Sequence, residues 1–400
     1  MIRSKPYFSK AFVALACLAL TAAAFAQTTQ KEEHAVSPEI PLKVQPLANF
    51  SGANDPRIVY TGRVDMSRPE SPSFGFPGVE IAARFEGTAV DIKLGDTGDR
   101  DYFNVTIDGG APMVLHAGAR IKVYPIARDL KPGVHEIRLY KRTEGNCGTA
   151  IFKGFGLDEG KSLADAPAIS ARAMEFIGDS ITCGYGNMVS TNDPNNAHFN
   201  PANENSAAAW GYLTAQAFGA RFVSTSYSGR GLFRNNTGSD AGTLPKLYRA
   251  IYPDSPEKVA WDPARYKPDV IVINLGTNDY SSLLVKTDLQ IDDFDQAYVK
   301  TYRAFLADLR SIYGKGAKII CSVGPMMSDG YPQGMNCWSR IQKNVSGLVS
   351  ELQAAGDKNI SYLCLNPQSP PYGEDWHPSA ATQANMAQQA IAAVKAATGW

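Results

Sequence analysis

Between residues 58 and 157 short apolar runs alternate with turn formers. The runs 79–85, 89–94, 103–107, 113–115, 121–126 and 135–140 are separated by glycine, proline and aspartate, the pattern of short strands joined by tight turns. About eight strands over roughly 100 residues predict an all-β sandwich of jelly-roll type. After Asp165-Ala166-Pro167 the period changes. Extended runs at 174–177, 221–225, 270–275, 318–323 and 360–365 alternate with helical patterns at 207–218, 294–313 and 338–352 and one starting near Ser379. In the second of these helices Phe294, Tyr298, Phe305, Leu309 and Ile312 recur mostly three or four residues apart and form one apolar face. Strands alternating with helices predict an α/β domain of about five parallel strands covered on both faces. The expected domains are a β jelly-roll over 56–160 and an α/β domain over 170–400. Each is long enough to bury a core.

The amino end changes the expected location. Arg3, Lys5 and Lys10 precede a small, apolar run at 11–24, and Ala24-Phe25-Ala26 offers a cleavage site before Gln27. Residues 1–26 therefore read as a secretory signal, and the protein as secreted, to the periplasm or the medium. The run is too short and alanine-rich for a stable membrane span. Continuation of that run past Cys17 and Ala14 at the lipobox leucine position disfavour a lipoprotein. Residues 27–55 are polar, aperiodic and proline-containing, and read as a linker. Basic and acidic residues balance at 39 each, so loss of the three basic residues leaves a net −3, with no footprint for nucleic acid. Five cysteines remain, Cys147, Cys183, Cys321, Cys337 and Cys364, an odd number that leaves at least one thiol unpaired within the chain. Cys321 and Cys364 lie in apolar strand-like runs and read as buried thiols. No CxxC or His-rich spacing suggests zinc, and no cofactor is expected.

Candidate chemistry centres on MEFIGDSITCGYG at 174–186. A buried strand, a glycine that permits a sharp turn, and a helix start place Ser180 at the carboxyl end of the strand, where open α/β sheets bind ligands. Helix-start N–H groups favour an anionic intermediate there. By itself Asp179 or Ser180 is equally a helix cap. Three later stretches also follow strands: Ser226-Tyr227-Ser228-Gly229-Arg230-Gly231, Gly276-Thr277-Asn278-Asp279 and Asp375-Trp376-His377-Pro378. Together they supply a close-approaching N–H, an amide donor and an imidazole beside a carboxylate, the parts of an acyl-transfer site.

These four stretches resemble the sequence blocks of the SGNH, or GDSL-like, hydrolases, whose α/β domain is flavodoxin-like. By that resemblance Ser180 is the nucleophile, Gly229 and Asn278 join the Ser180 N–H in the oxyanion hole, and His377 is the general base. GDSITCGYG, YSGRG, GTND and DWHP, with Tyr60-Thr61-Gly62-Arg63 and Phe74-Gly75-Phe76-Pro77-Gly78, are more closely similar to carbohydrate esterase family two, which joins a jelly roll to an SGNH domain. The usual orienting aspartate stands three residues before the histidine; that position is Glu374 here, and Asp375 stands two before. The family two resemblance favours Asp375 as the orienting carboxylate, with Glu374 in reserve.

The resemblance implies removal of O-acetyl groups from plant-wall polysaccharides or oligosaccharides such as xylan and glucomannan, including 6-O-acetyl hexoses, with no metal. The partner expected is an acetylated carbohydrate. Trp376, with Tyr185, Tyr331 and Trp338 on expected loops, offers flat faces for a sugar ring. The asparagine-rich insertion 187–205 is expected to form a rim, and His198 within it belongs to no matched block. An ordinary imidazole predicts activity rising through about pH 6 to 7. The alternatives are a glycan-binding protein with an inert hydrolase domain, and an SGNH lipase or bacterial glycan deacetylase using the same residues.

Overall fold

The computed structural model describes residues 40–255, 259–284 and 290–400. The secretory signal expected at 1–26 lies outside the described residues. Within them no helix is long and apolar enough to cross a membrane.

The first part contains strands β1 (Asn49–Gly52), β2 (Val59–Thr61), β3 (Ser73–Phe74), β4 (Glu80–Gly87), β5 (Val90–Asp96), β6 (Asp101–Ile107), β7 (Met113–Ala117), β8 (Lys122–Ala127), β9 (Gly133–Lys141) and β10 (Ala150–Leu157). They form two antiparallel sheets, one ordered β1-β10-β5-β8 with β3 also on β10, the other β2-β4-β9-β6-β7. Alternate residues point inward. Phe85, Phe103, Val105 and Leu139 of one sheet meet Ile92, Leu94, Phe152 and Phe155 of the other in a single core. This is the expected sandwich, with one correction to its start. Strand β1 lies inside the stretch read as a linker and pairs with β10, Asn49 opposite Leu157. Four residues with one aromatic are too few for a periodic signal, and the cross-strand partner supplies the order.

The second part holds β11 (Ala173–Gly178), β12 (Arg221–Ser226), β13 (Val270–Asn274), β14 (Lys318–Val323) and β15 (Ile360–Cys364). All pair in parallel in the order β12-β11-β13-β14-β15. Its helices are α1 (Ser180–Cys183), α2 (Trp210–Ala217), α3 (Leu244–Leu247), α4 (Thr277–Ser281), α5 (Ile291–Tyr313), α6 (Cys337–Ala354) and α7 (Ala380–Thr398). Met174, Phe176, Val270 and Val272 meet α2 and α7 on one face. Ile177, Ile271 and Ile273 meet α5 and α6 on the other. Burial on both faces is why these strands read as continuous apolar runs. The order 2-1-3-4-5 makes the gap between β11 and β13 the topological switch point.

The two parts pack as one compact unit from Glu39 to Trp400. Arg63 of the sandwich is 1% exposed and pairs with Glu175 of β11 at 3.0 Å. Its guanidinium also lies 4.8 Å from the Tyr248 ring centroid. Tyr252 donates to Asp65 at 2.7 Å, and Arg265 donates to the Val64 carbonyl at 2.8 Å.

Candidate active site

The site forms where β11, β12 and β13 end in register, Gly178 beside both Ser226 and Asn274. After Gly178 the Asp179 side chain caps a single helical turn by accepting from Ile181 N–H at 3.0 Å, and left-handed Gly184 ends it. Ser180 heads this turn, so its N–H has no intrahelical acceptor.

His377 is 197 residues away, yet its Nε2 lies 2.7 Å from Ser180 Oγ. Its Nδ1 faces the main-chain carbonyls of Glu374 and Asp375 at 3.0 and 3.1 Å. A carbonyl only accepts, so Nδ1 carries the proton and Nε2 presents its lone pair to the serine hydroxyl.

This corrects the expected carboxylate partner. Asp375 and Trp376 both have left-handed backbones, φ 47° and 66°, which turn their carbonyls and side chains apart. The Asp375 carboxylate accepts from Tyr185 Oη at 2.7 Å, His198 Nδ1 at 2.8 Å and Phe199 N–H at 3.1 Å. Glu374 accepts from Asn200 N–H at 2.9 Å and Asn203 Nδ2 at 2.6 Å. Both carboxylates therefore tie the histidine-bearing turn to the 185–205 segment, and neither hydrogen-bonds the imidazole. Although partly desolvated, Asp375 is held below its usual carboxylate range by His198, Tyr185 and Phe199.

Tyr185 stacks on His377, ring centroids 4.1 Å apart and planes at 26°, and Phe199 stacks on the other face of this arrangement against Tyr185 at 4.5 Å. Some of the His377 surface reaches solvent, but its ring sits in a desolvated environment. Burial pushes its pKa down to about 4, against the ordinary value expected from sequence. Burial also pushes Asp179 up to about 7, opposed by its bond from Ile181 N–H.

Gly229 has φ 74°, and its N–H donates to no acceptor among the described residues. A Cβ there would stand 3.1 Å from Asn236 Oδ1. Asn278 is the second residue of α4 and is 8% exposed. Its Nδ2 donates to the Arg230 carbonyl at 3.0 Å and to Asp179 Oδ2 at 3.2 Å. Gly276 starts this helix at φ 131°; a Cβ would come within 2.2 Å of Ile341 Cδ1, so only glycine lets α4 begin so close to α6.

Two further residues shape the site without a role assigned to them from sequence. Buried Asp279 accepts from Leu232, Phe233 and Arg234 N–H groups at 2.6–2.8 Å and so shapes the loop after Gly229; burial pushes it up to about 6 against those bonds. Glu144 reaches the same loop from the sandwich. The GTND motif hints at the first, and nothing local hints at the second.

The four aromatics separate. Tyr185 covers the imidazole. Trp376 is 47% exposed beside Tyr372 and donates to Asn195 Oδ1 at 3.3 Å, and Tyr331 is 67% exposed on a loop. Trp338 is not on a loop: it lies in the first turn of α6 and packs on the core. All five cysteines of the described residues are free, four of them buried, with Cys364 half-buried.

Two family models match the chain, Carbohydrate esterase 2 N-terminal over residues 60–167 and GDSL-like Lipase/Acylhydrolase family over 176–397. The cellulase/esterase CelE of Acetivibrio thermocellus is 34% identical over 350 residues, 87% of this chain and 40% of that protein. This chain thus spans well under half of that relative. An acetylxylan esterase / glucomannan deacetylase of Cellvibrio japonicus is 30% identical over 319 residues, 78% of this chain and 82% of that one. A family two carbohydrate esterase from Clostridium thermocellum, solved in complex with cellohexaose, has a TM-score of 0.76 at 32% identity and covers 86% of this chain and 99% of that chain. Fold and site define a hydrolase of the GDSL-like class. Within that class, the chain belongs to carbohydrate esterase family two.

Proposed function

We propose that the protein is a serine esterase that removes O-acetyl groups from plant-wall polysaccharides or oligosaccharides through an acyl-enzyme. The observation that carries this reading is the 2.7 Å contact between Ser180 Oγ and His377 Nε2, with Nδ1 committed to carbonyls. Ser180 attacks the ester carbonyl while His377 takes its proton; the imidazolium returns it to the departing sugar oxygen, and a water repeats the sequence on the acetyl group. The imidazolium is stabilised by the Glu374 and Asp375 carbonyl dipoles. The N–H groups of Ser180 and Gly229 receive the oxyanion, and the Asn278 amide joins them by sharing the hydrogen it gives to Asp179. Each such donor is typically worth ~2.7–4 kcal/mol. Trp376 and Tyr331 offer exposed faces for sugar rings.

The acetyl and plant-wall assignment draws on the relatives, one an acetylxylan esterase / glucomannan deacetylase and one bound to cellohexaose. Export through the secretory signal expected at 1–26 is part of this reading, since those polymers are met outside the cell. Acetate release from acetylated xylan and acetylated glucomannan, alongside 4-nitrophenyl esters of increasing chain length, tests the reading. It predicts acetate from a polymer and a steep fall from acetyl to longer acyl groups. Activity rising with acyl length would replace it with a lipase.

A further inference from the structure

Behind the Gly229 loop lies a buried acidic cluster that the mechanism above does not use. Glu144 follows β9 in the sandwich, and Glu204 belongs to the insertion after Ser180; both are 0% exposed. The Glu144 carboxylate accepts from Ser228 N–H at 2.7 Å through Oε2, and from the Ser228 hydroxyl through Oε1. Both its oxygens are therefore engaged by the residue that immediately precedes Gly229. The Glu144 N–H donates to Glu204 Oε2 at 3.1 Å, while Glu204 Oε1 is buried with no hydrogen-bond partner among the described residues. Cys183, at the end of the Ser180 turn, brings its sulfur within 4.8 Å of ligand atoms of both glutamates. Burial raises both glutamates, Glu204 the more, and the two Ser228 donors on Glu144 oppose its shift.

The loop needs such an anchor. Gly229 has no side chain and a left-handed backbone, so little in its own sequence fixes the direction of its N–H. We propose that Glu144 is a positioning residue for the oxyanion hole, its carboxylate clamping Ser228 so that the Gly229 N–H faces the ester carbonyl held at Ser180. The β-sandwich is then a working part of the esterase. This rests on the esterase reading above, with Gly229 as an oxyanion donor. An N–H displaced by about 1 Å costs on the order of a hundredfold in rate.

The test uses the full chain and compares Glu144→Ala, Glu144→Gln and Ser228→Ala on 4-nitrophenyl acetate. The expected result for Glu144→Ala is a kcat lower by about 30- to 100-fold with KM within about threefold, in protein whose thermal midpoint shows it folded. Glu144→Gln keeps an oxygen for Ser228 N–H and an amide for Ser228 Oγ, and should recover at least about tenfold of that loss. Ser228→Ala, which removes one of the two bonds at a half-buried position, should lower kcat about three- to tenfold and keeps the proposal testable if Glu144→Ala does not fold. A kcat per folded molecule within twofold of the parent in either alanine variant would overturn the clamp, as would a loss confined to KM or a glutamine variant no better than alanine. If the parent itself releases no acetate through Ser180, the esterase reading fails instead.

Discussion

Ser180 Oγ and His377 Nε2, the proposed nucleophile and proton acceptor, are already in hydrogen-bond contact, and two main-chain carbonyls fix the tautomer that this requires. Burial disfavours the imidazolium, and the carbonyl dipoles of Glu374 and Asp375, which favour it, offset only part of that. The direction is therefore a lowered His377 pKa, to about 4. A base whose pKa is lowered stays neutral at lower pH, so its activity survives acidification further than an ordinary histidine allows. The acid limb of kcat/KM should have its midpoint near pH 4 to 5 and be flat from 6 to 8. A midpoint between about 6 and 7 would contradict the lowered imidazole.

At the scale of elements, the turn that carries His377 is held in an unfavourable conformation by the segment that follows Ser180. Two consecutive non-glycine residues with positive φ cost of order 1–3 kcal/mol each, offset here by hydrogen bonds from Tyr185, His198, Phe199, Asn200 and Asn203 to the two carboxylates. The insertion expected as a rim is thus also a clamp. In a site where aspartate fixes the histidine tautomer, replacing it with asparagine costs about 10⁴ in kcat. Here Asp375→Asn should cost no more than about tenfold, because asparagine tolerates the left-handed backbone and the carbonyls at Nδ1 remain. Steady-state kinetics showing a thousandfold loss would return the orienting role to the carboxylate. This is also where sequence ran short: Asp375 two residues before His377 looks the same whether its side chain or its carbonyl faces the ring. Ser180, Gly229, Asn278 and His377 were legible because each follows an apolar strand in a turn with its own composition. Trp338 stood at the very start of the helical pattern 338–352, beside turn chemistry at 330–336 that runs into the helix without a conventional cap; Asn336 precedes α6 in a left-handed conformation.

Across the whole molecule, the alternation of strand and helix and the runs of short strands foretold both layers, since burial on one face leaves an alternating pattern and burial on both a continuous apolar run. What joins them left no such mark. Arg63 with Glu175, and Glu144 with Ser228, are 112 and 84 residues apart, beyond the reach of any local pattern. Removing one partner of a fully buried ion pair such as Arg63–Glu175 typically costs ~3–5 kcal/mol, which makes the sandwich hard to separate from the α/β part. The single compact unit that results brings a sandwich glutamate behind the Gly229 loop of a parallel-sheet hydrolase. All of this serves one atom, and the most direct measurement is acetate release from acetylated xylan by the parent and by Ser180→Ala, each confirmed as folded by its thermal midpoint. Loss of such a nucleophile costs on the order of 10⁶ in kcat, so the variant should fall to the background of the assay. If Ser180→Ala kept a tenth of the parent rate, Ser180 would not be the nucleophile, and the reading of the site would be wrong.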